Sequence, residues 1–269
     1  MKKKILSIVT VTLMFSGVLT GCTVKEGNTI ATDGSSSMEK VIGALGEAFI
    51  EKNDMGRFTY NPTGSSTGIT AVAEGRCDIG LSTRVLKDEE MSSDLTETII
   101  AYDGIAVIVN PENNISDLDI ETIAKIYTGK ITNWKELGGR DGEIVLIGRE
   151  ANSGTRDGFE SVIGTENACK YRQELTTTGD VITTVANNPN AIGYASIASV
   201  KEIVKVISVN GVLPTDENIK KGTYVIKRPF VLITKTDNQL SPTEQAFYEF
   251  CFSEEAKSII ELAGVVPVY

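Results

Sequence analysis

Three short stretches of this chain share one make-up, and together they limit what it can fold into. Gly34–Ser37 (GSSS), Gly64–Gly68 (GSSTG) and Asn152–Thr155 (NSGT) each combine glycine with small hydroxyl residues. Each stands directly before an apolar helical face: Met38, Val41, Ile42, Leu45 and Phe49 after the first, Ile69, Val72 and Ala73 after the second, Phe159, Val162 and Ile163 after the third. The second follows a short strand pattern, Arg57–Tyr60, and the third follows EIVLI, Glu143–Ile147. One serine before a helix is an ordinary cap. Nothing in capping calls for three such loops rich in serine. A helix start carries unpaired N–H groups and the positive end of the peptide dipoles. Three of them brought to one point would replace the water shell of an oxyanion without a metal. The third loop adds Arg149, whose planar fork suits a tetrahedral anion.

The rest of the chain fills in an α/β pattern. Asp78–Ser82 reads as a strand leading to Thr83 and Arg84, and Ile120, Ile123, Ile126 and Tyr127 share a helical face that Gly129 ends. The lone Trp134 follows in a loop. A short helix over Gly179–Asn188 precedes strands at Ala191–Ala195 and Ile203–Ser208. Ser241-Pro242-Thr243-Glu244 is a capping box with proline in the first turn, and Ser253–Ala263 forms a last helix before Gly264. Strands alternating with helices imply largely parallel sheets covered on both faces. Two runs stand out by length, Thr98–Asn110 and Thr223–Thr234, the second with Pro229 marking an edge or a crossing. They read as two connections between two lobes, with residues 30–106 and a return segment 229–269 in lobe 1 and residues 107–228 in lobe 2. Ligands in such folds sit at the strand C-terminal ends, commonly between domains.

Composition narrows the function. The chain carries 26 basic against 36 acidic residues, a net charge of −10, which argues against a nucleic-acid surface. It has no His, the commonest catalytic base and metal ligand, and no cofactor or metal is expected. Lys2–Lys4, the apolar run Ile5–Leu19 and Leu19-Thr20-Gly21-Cys22 read as a signal peptide (1–21) with a lipobox, Cys22 being the lipidated residue and 22–29 a polar tether. Cys77, Cys169 and Cys251 are too scattered for a disulfide framework or a metal site, and Cys251 reads as core.

Several catalytic spellings fail on context. Gly64–Gly68 fits G-x-S-x-G, but a chain without His has no triad base. Ser37-Met38-Glu39-Lys40 fits S-x-x-K, yet no K-T-G follows and Lys40 belongs on the solvated side of its helix. No phosphate-binding P-loop is present, and Asp117, Asp119 and Glu121 read as a solvated helix start. Binding without turnover is the better reading, so the chain is not expected to be an enzyme.

GSSS, GSSTG, DIGLSTR, YDGIAVIVNP, GKITNW, GREANSGTRDGF and AIGYAS occur in this order across nearly the whole chain. Together they resemble the phosphate-binding lipoproteins, PstS type, of the bacterial phosphate ABC importer. The resemblance implies a two-lobed type II periplasmic-binding-protein fold, with a ligand cleft between lobes and a two-strand hinge, that closes over inorganic phosphate. It also implies delivery to the permease and ATPase subunits of an ABC importer by a lipid-anchored monomer on the outer face of the plasma membrane. Carried over by motif, the phosphate ligands are Ser36, Ser37, Ser65, Ser66, Thr83, Arg149, Ser153, Gly154 and Thr155. Thr83 stands where better-known members have an aspartate that accepts the ligand's proton; Asp33 or Asp103 could reach the site instead. Alternatives are a same-fold protein for sulfate, molybdate or a phosphonate, a serine-dependent hydrolase or phosphatase, and an adhesion or sensory lipoprotein.

Overall fold

The computed structural model describes residues 29–53, 56–91, 94–236 and 240–269. The leader, Cys22 and the tether to residue 28 lie outside the described residues. The strands are β1 (Thr29–Gly34), β2 (Arg57–Pro62), β3 (Ile79–Ser82), β4 (Leu95–Val109), β5 (Asp117–Leu118), β6 (Val145–Arg149), β7 (Gln173–Leu175), β8 (Ala191–Ser196), β9 (Lys205–Val209), β10 (Lys227–Lys235) and β11 (Val266–Pro267). The helices are α1 (Glu39–Asn53), α2 (Ser65–Ala73), α3 (Asp88–Met91), α4 (Ile120–Tyr127), α5 (Gly154–Ile163), α6 (Thr178–Ala186), α7 (Asp216–Lys221), α8 (Pro242–Phe250) and α9 (Glu254–Leu262).

The sheet runs β2-β1-β3-β10-β4-β8-β6-β7. Its ends are parallel, β1 with β2 and β3, and β6 with β7 and β8. Its middle is antiparallel, because β10 pairs antiparallel with β3 and β4, and β4 pairs antiparallel with β8 and β9. The expected largely parallel sheet is therefore a mixed one. The reason is that β4 and β10, the two long runs, travel in opposite directions side by side.

β4 changes partners along its length. Leu95–Gly104 pairs with β10, and Ile105–Val109 pairs with β8. Both faces of both runs are covered, which is why they read as nearly continuous apolar sequence. Along β4, Ile105, Val107 and Val109 enter a core with Tyr127, Trp134, Phe159 and Tyr194, while Ala106 and Ile108 enter another with Ile147, Val181 and Val185. Along β10, Phe230 and Leu232 pack with Ile42, Phe49 and Phe247, while Val231 and Ile233 pack with Ile69 and Val72. Each fully buried large side chain contributes about 1.5–3 kcal/mol. Four separate cores pin the strands that meet at the site.

Several local features depart from the sequence reading. β1 was not expected: Thr29–Gly34 is short and ends in Asp-Gly, turn chemistry that masks a buried central strand. Trp134 sits in a 3-10 turn, fully buried, with its indole N–H donating to the Asn190 carbonyl at 2.9 Å. The second long run begins as strand only at Lys227, although Tyr224 before it is buried and its hydroxyl donates to the Ile105 carbonyl at 2.8 Å. Pro229 lies in an interior strand, yet β3 pairs only with Val231–Ile233, so at Pro229 the strand is locally an edge. Cys251 is buried, the box at Ser241 and Glu244 forms, and Lys40 is exposed, as expected. No helix of the described residues is long and apolar enough to cross a membrane.

Candidate functional site

Five strands, β1, β2, β3, β6 and β7, hand over to a turn or helix carrying hydroxyls. β1 ends at Gly34, which adopts φ +144° and lies so close to β3 that an added Cβ would meet the Leu81 carbonyl oxygen at 2.1 Å. Only glycine fits there. It delivers Ser35, Ser36 and Ser37 into a 3-10 turn that runs into α1. β2 leads to Ser65, the first residue of α2, and β3 leads to Thr83. β6 ends on Arg149 and leads through Ser153 to Thr155, the second residue of α5. β7 leads to Thr178, the first residue of α6. Four helix starts thus converge, so the field at their meeting point is positive.

The hydroxyls form two hydrogen-bonded clusters that Arg228 joins into one group. Ser37 Oγ lies 2.9 Å from Thr155 Oγ1 and 2.8 Å from Thr178 Oγ1. Ser36 Oγ accepts from the Thr178 backbone N–H at 3.2 Å. Thr83 Oγ1 is 3.2 Å from both Ser35 Oγ and Ser65 Oγ, and the Thr83 N–H donates to Ser65 Oγ at 3.0 Å. Ser35, Ser36, Ser37, Ser65, Thr83, Thr155 and Thr178 are all between 0% and 4% exposed. Seven buried hydroxyls from five separate parts of the chain are not what an apolar core selects.

Two arginines complete the group. Arg149 is 1% exposed; its Nε donates to the Leu175 carbonyl at 3.0 Å, its Nη2 to the Thr176 carbonyl at 2.6 Å and its Nη1 to Thr178 Oγ1 at 3.1 Å. Among the described residues no carboxylate lies within ion-pair distance of it. Burial draws its guanidinium down to about 10, so it remains charged at neutral pH. Arg228 rises from β10, also buried, and its Nη1 donates to Thr83 Oγ1 at 3.0 Å and to Thr155 Oγ1. Behind it the fully buried Asp103 of β4 accepts from Arg228 Nε at 3.1 Å and Nη2 at 2.9 Å, and from Ser196 Oγ at 2.9 Å. Burial pushes the Asp103 carboxyl up and draws Arg228 down, and their fork-to-carboxylate pairing opposes both shifts.

The structure gathers Ser36, Ser37, Ser65, Thr83, Arg149 and Thr155 as the sequence reading expects. Gly154 packs against them: an added Cβ would stand 2.5 Å from Ser65 Oγ and 2.6 Å from Thr83 Oγ1. Two residues are placed differently. Ser153 Oγ accepts from the N–H groups of Thr155 and Arg156, so it caps α5. Ser66 Oγ accepts from Arg84 Nη2 at 3.0 Å, outside the group. Asp33 accepts from Asn61 and Thr63 and does not reach the hydroxyls. Arg156 pairs with Glu160 and Glu174 in a salt-bridging role and touches the group only through the Arg149 carbonyl, to which its Nη1 donates at 3.1 Å.

Ser35, Thr178 and Arg228 escaped the sequence reading. Thr178 had a signal, since Thr176-Thr177-Thr178-Gly179 repeats the hydroxyl-and-glycine chemistry of the other helix starts. Arg228 had a weaker one, a charge inside a run that is otherwise apolar β sequence. Beside the group, Arg84 is held by both oxygens of Glu90 at 2.6 and 2.7 Å, and its Nε stands 3.1 Å from Asp157 Oδ2 on α5. That last contact is an ion pair without hydrogen-bond alignment.

Comparison with known proteins places the chain. Residues 23–255 match the PBP superfamily domain. The phosphate-binding protein PstS of Bacillus subtilis is 34% identical over 251 residues, covering 91% of this chain and 82% of the relative. Among solved structures, a chain from Clostridium perfringens assigned as a phosphate ABC transporter substrate-binding protein, with bound phosphate, superposes with a TM-score of 0.87 at 40% identity, covering 90% of this chain and all (100%) of that one. An ABC-type phosphate transport receptor from Vibrio cholerae follows with a TM-score of 0.73 at 33% identity, covering 88% of this chain and 99% of that one. With the mixed sheet, the helix starts and the match in agreement over the same span, the chain belongs to the PBP superfamily and, within it, to the family of phosphate-binding PstS proteins.

Proposed function

We propose that this protein captures inorganic phosphate at the hydroxyl–arginine group and delivers it to an ABC-type permease outside the cytoplasm. The observation that carries the reading is the buried Arg149, whose charge meets carbonyls and a hydroxyl but, among the described residues, no carboxylate. An unneutralised buried cation surrounded by helix starts is an anion site by its physical chemistry. Catalysis finds no support in the same group: Lys40 Nζ donates to the Ala263 carbonyl and not to Ser37, and among the described residues no carboxylate or amine bonds any of the group's serines. Titration calorimetry of the purified protein with phosphate should give saturable one-to-one binding, and a chromogenic phosphoester should remain intact. No heat at millimolar phosphate, a free energy weaker than about −4 kcal/mol, would reject capture.

Residues 30–106 with 229–269 form one lobe in this reading, and residues 107–228 the other, joined through β4 and β10. The exchange of partners on β4 between Gly104 and Ile105 supports that division. Phosphate touching Ser37, Ser65 and Arg149 at once then binds fully only when the lobes are closed. Gly154 is the sensitive point. In Gly154→Ala the methyl group would collide with Ser65 and Thr83, while a helix start tolerates alanine. The expected outcome is a folded protein whose phosphate affinity falls tenfold or more, about 1.4 kcal/mol, and whose radius of gyration in small-angle scattering no longer shrinks with phosphate. Wild-type compaction in that variant would refute the closure account.

The protein works as a monomer anchored by lipid on Cys22. Cys22→Ala should release it to the medium or leave its leader uncleaved, because stable anchoring takes more than a single acyl chain. Membrane retention with normal processing would remove the anchor from the proposal.

A further inference from the structure

We infer that Glu160 is a positioning residue for Arg149: through Tyr171, Tyr194 and Arg156 it fixes the strand end from which the guanidinium reaches the ligand. Arg149 is the arginine of the capture reading above, on which this inference rests. The sheet has a gap at this point. β6 pairs with β8 only at Val145 and Leu146, so Arg149, at the end of β6, has no strand beside it on that side. Side chains hold its backbone instead. The Arg149 N–H donates to the Tyr194 hydroxyl at 3.1 Å, and the Arg149 carbonyl accepts from Arg156 Nη1 at 3.1 Å.

Both supports lead to one carboxylate. Arg156 Nε donates to Glu160 Oε1 at 2.7 Å, and the Tyr171 hydroxyl donates to the same oxygen at 2.9 Å. Glu160 Oε2 accepts the Asn167 N–H at 2.9 Å. Glu160 is 4% exposed and, among the described residues, bonds none of the site hydroxyls. The Tyr171 and Tyr194 hydroxyls lie 3.1 Å apart. Burial raises both phenols, so each keeps its one proton. Counting protons then gives the chain a direction. A carboxylate oxygen only accepts, so Tyr171 gives its proton to Glu160. Tyr194 therefore donates to the Tyr171 oxygen, which leaves its own lone pairs for the Arg149 N–H. An amide at position 160 would lose this direction, because its NH2 would face either the Asn167 N–H or the donors on the other oxygen.

Packing makes the chain a strut. The Tyr171 ring lies against Gly148, the residue before Arg149, where an added Cβ would meet it at 2.3 Å. Tyr194 stacks on Phe159 with ring centroids 4.1 Å apart, and the Arg156 guanidinium lies 4.9 Å over the Tyr171 ring. Arg156, Phe159 and Glu160 all belong to α5, whose second residue is Thr155. One helix thus places a site hydroxyl and holds the arginine's backbone. A displacement of about 0.5 Å is enough to spoil such a constellation.

Tyr127 supplies an internal control. Its ring packs in the same cluster, 5.9 Å from Tyr171 and 6.0 Å from Tyr194, but its buried hydroxyl has no hydrogen-bond partner among the described residues. Phosphate calorimetry on the purified protein and its variants tests the chain. Glu160→Gln, Tyr171→Phe and Tyr194→Phe should each weaken binding about three- to tenfold, the equivalent of one hydrogen bond. Tyr127→Phe should bind as the wild type does. Tyr171→Phe combined with Tyr194→Phe should stay within about twofold of its weaker parent, because both changes break one chain. Exchange of the Arg149 amide proton, measured against that of Ile147, should quicken in Tyr171→Phe, whose hydroxyl reaches Arg149 only through Tyr194. A role in stability alone would lower the melting temperature and leave affinity and this exchange unchanged. That outcome, or losses that multiply in the double variant, would overturn the inference and leave phosphate capture standing. Failure of the wild-type protein to bind phosphate would remove capture and the inference together.

Discussion

Arg149→Ala is expected to weaken phosphate binding by roughly 30-fold to several thousand-fold, the equivalent of about 2–5 kcal/mol for a desolvated charge contact. Arg149 is the cation of the group that no carboxylate contacts among the described residues, Glu150 acting on it only from a distance, so most of its field is available to a ligand. Arg149→Lys should recover only part of the loss. A lysine cannot reproduce the fork that holds the Leu175 and Thr176 carbonyls and the Thr178 hydroxyl at once. Alanine also removes the bonds to the Thr176 carbonyl and the Thr178 hydroxyl, whereas the Leu175 carbonyl keeps the Glu150 N–H at 3.1 Å, so stability should drop by only about 0.5–1.5 kcal/mol. Calorimetry well below the melting temperature separates the two effects. Wild-type affinity in a folded Arg149→Ala protein would remove Arg149 from the site.

The second large effect concerns stability. Arg228→Met should cost about 3–5 kcal/mol, because it strands the Asp103 carboxylate at zero exposure with Ser196 as its remaining side-chain donor. The loss should depend on pH with a definite sign. Once the guanidinium is gone, burial outweighs the Ser196 and Ala198 hydrogen bonds and raises the folded pKa of Asp103 above the unfolded value of about 3.9. The native state then holds a proton that the unfolded chain has released, so stability falls as pH rises from about 4 through the raised folded pKa. Urea unfolding should accordingly show a smaller deficit near about pH 4.5 than near about pH 7.5. Replacing both partners, Asp103→Leu with Arg228→Met, should restore most of the stability, since an apolar pair of similar volume replaces a desolvated ion pair. Phosphate binding should stay impaired, because the bonds from Arg228 to Thr83 and Thr155 are not restored. A urea midpoint for Arg228→Met equal to the wild type at both pH values would show that the pair holds nothing together.

Much of this architecture was legible in the linear chain. The helical faces after Ser37, Ser65 and Thr155, the strand ending at Arg149 and the cap at Ser241 all depend on residues within a few positions of one another. Periodicity and capping chemistry are local, so a sequence can state them. The two long runs were legible for a similar reason: a strand covered on both faces must be apolar at nearly every position.

What the sequence determined by itself was therefore the kind of site, hydroxyls and glycine at helix starts with an arginine on the preceding strand. What only the tertiary structure decided was which residues turn inward. Ser66 and Ser153 carry the same hydroxyl as Ser65 and Thr155, but one accepts from Arg84 and the other closes the first turn of α5. Ser36 and Thr178, whose group the Thr178 N–H joins, are 142 residues apart, and Arg228 meets Thr83 across 145. No local rule connects positions so far apart. They are set by β4 and β10 lying antiparallel at the middle of the sheet, which places Asp103 and Arg228 side by side. That pairing register decides that the buried acid serves as the arginine's counterion.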